Sequence, residues 1–402
     1  MLVSGALLLL LLLTPPQQDY LADALKALDA NQPATAEPLL RKAVEAEPGD
    51  YAAHFHLALA LSLQQKDPEA VAELRKTLEL KPGLYEADLN LGILLLRGHL
   101  PAEALPALKE AAETRPKELR PNLFYAQALL ESGNFAQAEI QYAAAAADNP
   151  TSAPAQLGWA RTLLQNAKPA EAAEHFRAAG HKDGLLEVAA AYEKSGHKAE
   201  AMALYGEFPE NAAVRERLGQ LLTDDKDAAA AIPQLEAAVH LAPTTANRLA
   251  LADAYKLGKD TAKMLEQLQL ASASDPGNHD LHLAYGRTLR DQRRLTQAAQ
   301  QFLAATKLRP DSVAAWNELA SALIINENYA EGLAALDRIR ALGKEIPGNY
   351  FLRAITLDKL KMKPQALAAY QQFLGADGGA HPDQEFQARQ RARIIETGLK
   401  KK

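Results

Sequence analysis

The sequence contains no cysteine among its 402 residues. This absence excludes disulfide bonds, thiol catalysis and cysteine-ligated zinc, and it removes the lipid-acceptor cysteine that a bacterial lipoprotein needs. Aromatic residues make up only 6% of the chain although 48% of it is hydrophobic, because alanine and leucine dominate. β-Branched residues are scarce, so the composition favours helices over strands.

The chain also lacks an excess of positive charge. It has 44 basic and 50 acidic residues, which leaves a formal net charge of -6. Such a balance supplies no sequence-wide attraction for nucleic acid, so we expect no nucleic-acid partner.

No hydrophobic run is long enough to cross a membrane. The longest, Leu2–Leu13, has 12 residues and as a helix would reach about 18 Å, against roughly 30 Å of hydrocarbon. It is typical of the apolar centre of a secretory signal, although no Lys or Arg precedes it and no A-x-A site follows. We therefore expect residues 1–16 to be a signal-like segment and the protein to be exported, periplasmic or membrane-tethered. The alternative is a cytoplasmic protein whose N-terminal segment is packed.

What the chain does contain is a repeat. A small residue is followed by a second small residue 12 positions later and by a proline 12 positions beyond that, as in Gly92, Ala104 and Pro116. Most first small sites lie 34 residues apart, and two intervals measure only 29 and 30. The first sites of the eleven units between residues 17 and 376 are Ala24, Ala58, Gly92, Ala126, Ala160, Ala189, Gly219, Ala252, Gly286, Ala320 and Ala354.

Each unit predicts two antiparallel helices. Apolar residues recur at helical spacing around both small sites, and a short polar break separates the two helices. The small residues mark the place where the helices cross closely, and the proline ends the second helix. Because Pro38, Pro106 and Pro233 fall just after the second small site, we expect those second helices to begin late.

The pattern resembles the tetratricopeptide repeat family, which is a 34-residue helix–turn–helix with conserved small, aromatic and proline positions. The resemblance is carried by Leu91-Gly92 with Leu95, by Ala298 with Phe302, and by Trp316 with Leu319-Ala320. It implies an all-α, right-handed α-α superhelix whose concave surface binds peptide or protein segments.

The units and their ends define the predicted organisation. Residues 17–181 form an N-terminal array, residues 182–376 form a C-terminal array continuous with it, and residues 377–402 form a linker and a capping helix. The units near residues 153 and 181 are short, so their second helices should lose a turn, and the stack could bend there.

No sequence motif indicates catalysis. The sequence has no G-x-S-x-G, no Walker loop and no G-x-G-x-x-G. His279 and His282 share a helix face, but the glutamate of the helical zinc motif is missing. We therefore predict no enzyme, no cofactor and no metal site.

The candidate binding residues lie on the first helix of each unit, which the family resemblance places along the concave groove. Their side chains change from apolar to polar along the chain. The predicted groove consists of Phe55, Leu59, Leu89, Ile93, Arg120, Leu123, Gln127 and Arg161, and a secondary polar groove consists of Arg287, Arg290, Asn317 and Ser321. Exposing an apolar stripe of this kind to water is energetically unfavourable unless something covers it. We expect a partner to cover it, and the alternative is that neighbouring helices or the N-terminal segment do so.

Two functions follow from these observations. The first is a non-catalytic scaffold that holds partner proteins during envelope assembly, secretion or polysaccharide export, with membrane association only through residues 2–13. The second is a cytoplasmic adaptor or co-chaperone. Asn90 occupies one place of the family's two-carboxylate clamp, but Phe55 and Leu59 stand where its Lys and Asn partners would be, which argues against clamp-type recognition.

Overall fold

The computed structural model describes residues 19–400, and these fold into 23 α-helices without a strand. The predicted signal-like segment at residues 1–16 lies outside the described residues. The all-α prediction is confirmed.

Twenty-two of these helices form eleven consecutive pairs, as the repeat count predicts, and the last stands alone. In chain order they are α1 (Tyr20–Asp29), α2 (Pro33–Ala46), α3 (Tyr51–Leu63), α4 (Asp67–Leu80), α5 (Tyr85–Arg97), α6 (Pro101–Thr114), α7 (Leu119–Glu131), α8 (Phe135–Asp148), α9 (Ala153–Gln165), α10 (Pro169–Ala178), α11 (Gly184–Lys194), α12 (Lys198–Tyr205), α13 (Ala212–Asp224), α14 (Ala228–Leu241), α15 (Thr245–Leu257), α16 (Thr261–Ser274), α17 (His279–Asp291), α18 (Leu295–Leu308), α19 (Val313–Ile325), α20 (Tyr329–Ala341), α21 (Pro347–Lys359), α22 (Lys363–Asp377) and α23 (Pro382–Lys400).

The chain divides into two compact units between Leu204 and Tyr205, inside α12. Helix α12 has 8 residues and α10 has 10, whereas most second helices have 14. The predicted shortening of these two helices is therefore confirmed. Repeat length places the array boundary after residue 181, while the packing of the helices places the unit boundary after residue 204.

Within each helix pair, the two helices pack against each other at the small sites. The first and second sites are buried in every described repeat, with Ala24, Ala36, Ala126 and Ala138 fully inaccessible. Large side chains, such as the inaccessible Leu108, fill the space above the small residues. The result within each of the two compact units is an α-solenoid in which successive pairs bury their apolar faces against one another.

The turn inside each pair has one backbone conformation. In all eleven pairs, the residue seven positions after the first small site has a positive φ, between 55° and 82°. Only two of these residues are glycines. The eleven residues are Asn31, Gln65, His99, Gly133, Ala167, Gly196, Lys226, Lys259, Arg293, Glu327 and Lys361.

The predicted late start of three second helices is wrong. Helices α2, α6 and α14 begin five residues before Pro38, Pro106 and Pro233, and each proline lies inside its helix. Each proline removes a single N–H bond near the helix start. The buried face of each helix continues past it and offsets that loss.

The C-terminal helix packs as the predicted cap. Helix α22 ends at Asp377, Gly378 adopts a left-handed conformation, and α23 follows four residues later. Helix α23 buries Ala388 and Ile395 in a cluster that includes Phe373 of α22. Among residues 19–400, no helix is both long and apolar enough to cross a bilayer.

Candidate functional site

The first helices of successive pairs contact one another and thereby line one surface in each unit. These contacts join α1 to α3, α5 to α7 and α7 to α9 in the N-terminal unit. In the C-terminal unit they join α13 to α15, α17 to α19 and α19 to α21. All predicted groove residues lie on these first helices.

The apolar part of the predicted groove is only partly accessible. Phe55, Leu59 and Ile93 are half-buried, and Phe55 and Ile93 pack against the core of the first three pairs. Leu89 is 6% exposed and belongs to that core, so its side chain is not available to a partner in this arrangement. Leu63, one turn after Leu59, is 60% exposed and extends the apolar surface, although sequence reasoning did not single it out.

The next first helix, α7, adds one unpaired charge. Arg120 is exposed, makes no ion pair within the described part of the chain, and lies 6.0 Å from the ring centroid of Phe124. Leu123 is half-buried, and the Gln127 amide donates to Glu131 at 2.8 Å. Arg120 is therefore free to meet an anionic group, whereas the hydrogen-bonding capacity of Gln127 is partly used.

Arg161 lines a cavity of about 380 Å³ in the N-terminal unit. Leu130, Leu164 and Phe135 provide its apolar lining, and Glu187 places a carboxylate at the same cavity. Arg161 is exposed and has no ion pair within residues 19–400. This cavity combines a cation with apolar walls, as recognition of a peptide side chain requires.

The secondary polar groove is neutralised by a residue that the sequence did not indicate. Arg287 donates to Glu318 at 2.8 Å, and Arg290 pairs with the same carboxylate. Burial lowers the pKa of Arg290, but Asp291 and Glu318 raise it above its usual value overall. Asn317 accepts from the Asn349 amide at 2.6 Å, and Ser321 is half-buried. Three of the four predicted residues, Arg287, Arg290 and Asn317, are therefore already bonded to other side chains of the same unit.

The two candidate metal-ligating histidines are occupied by protein partners. His279 contacts Asp280 at 2.8 Å and Ser312 at 3.1 Å through its two ring nitrogens. His282 contacts Gln301 at 2.7 Å and the Pro276 carbonyl at 3.1 Å. Within the described range, no group of three potential ligands converges on a metal site.

His282 belongs to a recurring arrangement that sequence reasoning missed. In several pairs, the side chain of the residue four positions before the first small site donates a hydrogen bond to a proline carbonyl. That proline lies six residues before the donor. The examples are His54 to Pro48 at 3.2 Å, Asn122 to Pro116 at 2.8 Å, Gln156 to Pro150 at 3.0 Å, Arg215 to Pro209 at 3.0 Å and Trp316 to Pro310 at 2.9 Å. The constant spacing of these donors and prolines from the first small sites is the sequence signal that could have revealed the arrangement. These bonds tie six of the first helices to the end of the preceding pair.

Family models identify tetratricopeptide repeats in three segments of the chain. Two family models, both described as tetratricopeptide repeat, match residues 21–85 and 283–349, and residues 94–157. No curated protein sequence matches the chain.

Solved structures of MamA are similar to part of the chain. MamA 41-end from Desulfovibrio magneticus RS-1 is 20% identical, with a TM-score of 0.38, over 41% of this chain and 94% of that one. MamA AMB-1 is 22% identical, with a TM-score of 0.38, over 41% of this chain and 98% of that one.

The assignment rests on the repeat register, the helix pairs and the family models. All three place the same helix–turn–helix unit at residues 21–85, 94–157 and 283–349, and the repeat register and the helix pairs extend it to the other described repeats. The chain belongs to the tetratricopeptide repeat family.

Proposed function

We propose that this protein is an exported or membrane-tethered scaffold that binds protein segments on the first-helix surface of its N-terminal unit. Its role would lie in envelope assembly, secretion or polysaccharide export. Membership of a family of typically non-catalytic interaction modules supports the scaffold, and no residue is assigned a catalytic role.

One observation carries the proposal. The partly exposed side chains of Phe55, Leu59 and Ile93 occur in the same unit as Arg120 and Arg161, which make no ion pair within the described residues. A segment with apolar residues and a carboxylate would cover the first group and pair with the second. In the C-terminal unit, Glu318 already pairs with Arg287, which occupies the repeat position of Arg161, and with Arg290.

The binding surface is tested by affinity capture with the wild type beside Phe55→Asp and Ile93→Asp. We expect both variants to lose the captured partner while their helix content stays near that of the wild type. Ile140→Asp is the matched control, because Ile140 is 65% exposed and lies on a second helix. Unfolding of the groove variants would instead show that the apolar stripe belongs to the core, and undiminished capture would remove the surface from the proposal.

Export rests on the Leu2–Leu13 run and has its own test. N-terminal sequencing of the expressed protein, together with cell fractionation, should find the chain outside the cytosol or at the membrane. An intact Met1 in the cytosol would favour the cytoplasmic adaptor or co-chaperone instead.

A further inference from the structure

A cavity of about 490 Å³ lies between α18, α19 and α20 of the C-terminal unit. Its apolar lining includes Trp316, Leu319 and Leu323 of α19, Leu303 of α18 and Ala335 of α20. Its volume is in the range of specific binding pockets, and its lining is mainly apolar. It does not include the predicted groove residues of α19, which are Asn317 and Ser321.

The α19–α20 pair lacks a side-chain bond that several other pairs possess. In several pairs, the residue four positions before the first small site bonds to the residue 19 positions later. Examples are His54 with Glu73 at 2.6 Å, Gln156 with His175 at 2.7 Å and His282 with Gln301 at 2.7 Å. In the α19–α20 pair, the corresponding residues are Trp316 and Ala335, which cannot form such a bond and which both line the cavity.

Two opposite charges flank this space along α20. Glu331 and Arg338 both line the cavity and are exposed. They are seven residues apart, or about 10 Å along a helix axis. Neither makes an ion pair within residues 19–400, and the Arg338 guanidinium lies 5.7 Å from the ring centroid of Trp316.

The last helix of the same chain carries apolar side chains that nothing in the described structure covers. Phe386 is 64% exposed and Ile394 is 58% exposed, although both lie on a well-formed helix. The opposite face of α23 is held against α22 by Ala388 and Ile395. Phe386 and Ile394 therefore face away from their own core.

The charges around Phe386 follow the same order along α23 as those of α20 do along their helix. Asp383 precedes Phe386 by three residues, and Arg389 and Arg393 follow it. Arg389 also pairs with Glu385 at 2.8 Å, whereas Arg393 makes no ion pair within residues 19–400. The arginines are six and ten residues beyond Asp383, or about 9 and 15 Å along the helix, which brackets the spacing on α20. On α20 the acidic residue comes first and the basic residue second, so an antiparallel α23 would meet both charges with opposite ones.

We propose that α23 of a second copy of this chain docks antiparallel over the cavity between α18 and α20. Phe386 then lies against Trp316, Asp383 pairs with Arg338, and the arginines of α23 face Glu331. The helix docks in the groove through an apolar anchor flanked by charge pairs. The proposal uses none of the predicted groove residues and does not depend on the proposed function.

The contact has a consequence for assembly. Because the α23 face and the cavity are different surfaces, the contact is heterologous and leaves one free copy of each surface at the ends. Copies should then add in a series or close into a ring. The interface is small, so we expect a dissociation constant on the order of 10–100 µM.

The experiment is sedimentation equilibrium of the full chain over a concentration series from about 1 to 300 µM, which spans the expected dissociation constant. The weight-average mass should rise above the 43.4 kDa of one chain. Phe386→Ser should weaken association by about tenfold or more, as loss of an aromatic anchor does. Ile140→Ser, which removes an equally exposed apolar side chain from another helix, should change it by less than about twofold.

A charge exchange tests the register. Arg338→Asp and Asp383→Arg should each weaken association by about fivefold, and the double variant should regain most of the affinity, as a double-mutant cycle requires. All substituted side chains are exposed, and circular dichroism checks that the helix content is unchanged. A monomer at every concentration, association that ignores Phe386→Ser, or a double variant as weak as the single variants would overturn the proposal.

Discussion

Gly92 of α5 lies directly beneath Leu108 of α6. A Cβ atom built on Gly92 would stand 2.3 Å from the Leu108 Cγ, and Leu108 is itself fully buried. The same relationship joins Gly219 to Leu235 at 2.3 Å and Gly286 to Phe302 at 2.6 Å. The small residue of the repeat therefore makes room for a large residue 16 positions later.

This contact predicts the effect of adding one methyl group. Gly92→Ala should lower the free energy of unfolding by about 1–3 kcal/mol, because the clash with an immobile core side chain exceeds the gain of about 1 kcal/mol in helix propensity. Urea titration followed by circular dichroism measures this change.

The control is a helical glycine with free space around it. Gly375 of α22 has no atom within 4 Å of a built Cβ, so Gly375→Ala should leave stability unchanged or raise it by up to about 1 kcal/mol. Equal destabilisation by the two substitutions would contradict the packing argument.

The left-handed turn residues predict a stabilising substitution. Ala167 has φ +57°, a conformation that costs a non-glycine residue about 1–2 kcal/mol. Ala167→Gly should therefore raise the free energy of unfolding by about 0.5–1 kcal/mol, after the greater flexibility of glycine in the unfolded chain is subtracted. Gly196→Ala, at φ +82°, should have the opposite sign, and thermal unfolding of both variants checks the pair.

Asp88 occupies the repeat position whose side chain bonds to the preceding proline in other pairs, but it forms no such bond. An ionised carboxylate cannot donate to the Pro82 carbonyl as His54 and Asn122 do to theirs. Asp88 is 6% exposed, and its Oδ2 has no hydrogen-bond partner. Burial, with a smaller contribution from the charge of Glu110, raises the pKa of Asp88 from 3.8 to about 6.

This raised pKa predicts a pH-dependent difference between the wild type and Asp88→Asn. A carboxyl group that is more basic in the folded state stabilises the fold when protonated, and that contribution is lost as pH rises from about 4 to about 6. At pH 7 the variant should be more stable than the wild type by about 1–3 kcal/mol, since its amide carries no charge and can donate. The difference should shrink toward pH 4 in urea titrations, and a difference independent of pH would rule out ionisation of Asp88 as its cause.

Glu318 predicts that the C-terminal unit has a latent anion site. Glu318→Gln should release Arg287 and leave Arg290 paired only with Asp291. Fluorescence anisotropy should then show that the variant binds a labelled acidic hexapeptide more tightly than the wild type does, and that about 0.3 M salt weakens this binding. Stability should fall by no more than about 1 kcal/mol, because these ion pairs are partly solvated. Asp311→Asn, which removes an exposed carboxylate of the same unit, is the control and should not enhance binding.

Much of the fold could be predicted because its signals are local. The register of Gly92, Ala104 and Pro116, repeated along the chain, specifies where helices pair and end, and the short repeat intervals correctly indicate that α10 and α12 lose a turn. The late helix starts at Pro38, Pro106 and Pro233 were predicted wrongly, since a local proline rule was applied where packing of a buried face prevails.

The candidate site was less predictable because its properties depend on neighbours distant in the sequence. Leu89 and Ile93 have the same chemistry and lie one turn apart, yet only Leu89 is fully packed. Arg161 and Arg287 occupy equivalent repeat positions, but a carboxylate 31 residues away neutralises only Arg287.

The sequence by itself determined an all-helical repeat of eleven pairs, because small residues and prolines act over distances of a few turns. Only the tertiary structure decided which side chains on those helices remain available. Accessibility and charge pairing arise when one pair packs on the next, as the open space beside Trp316 and the paired state of Arg290 show.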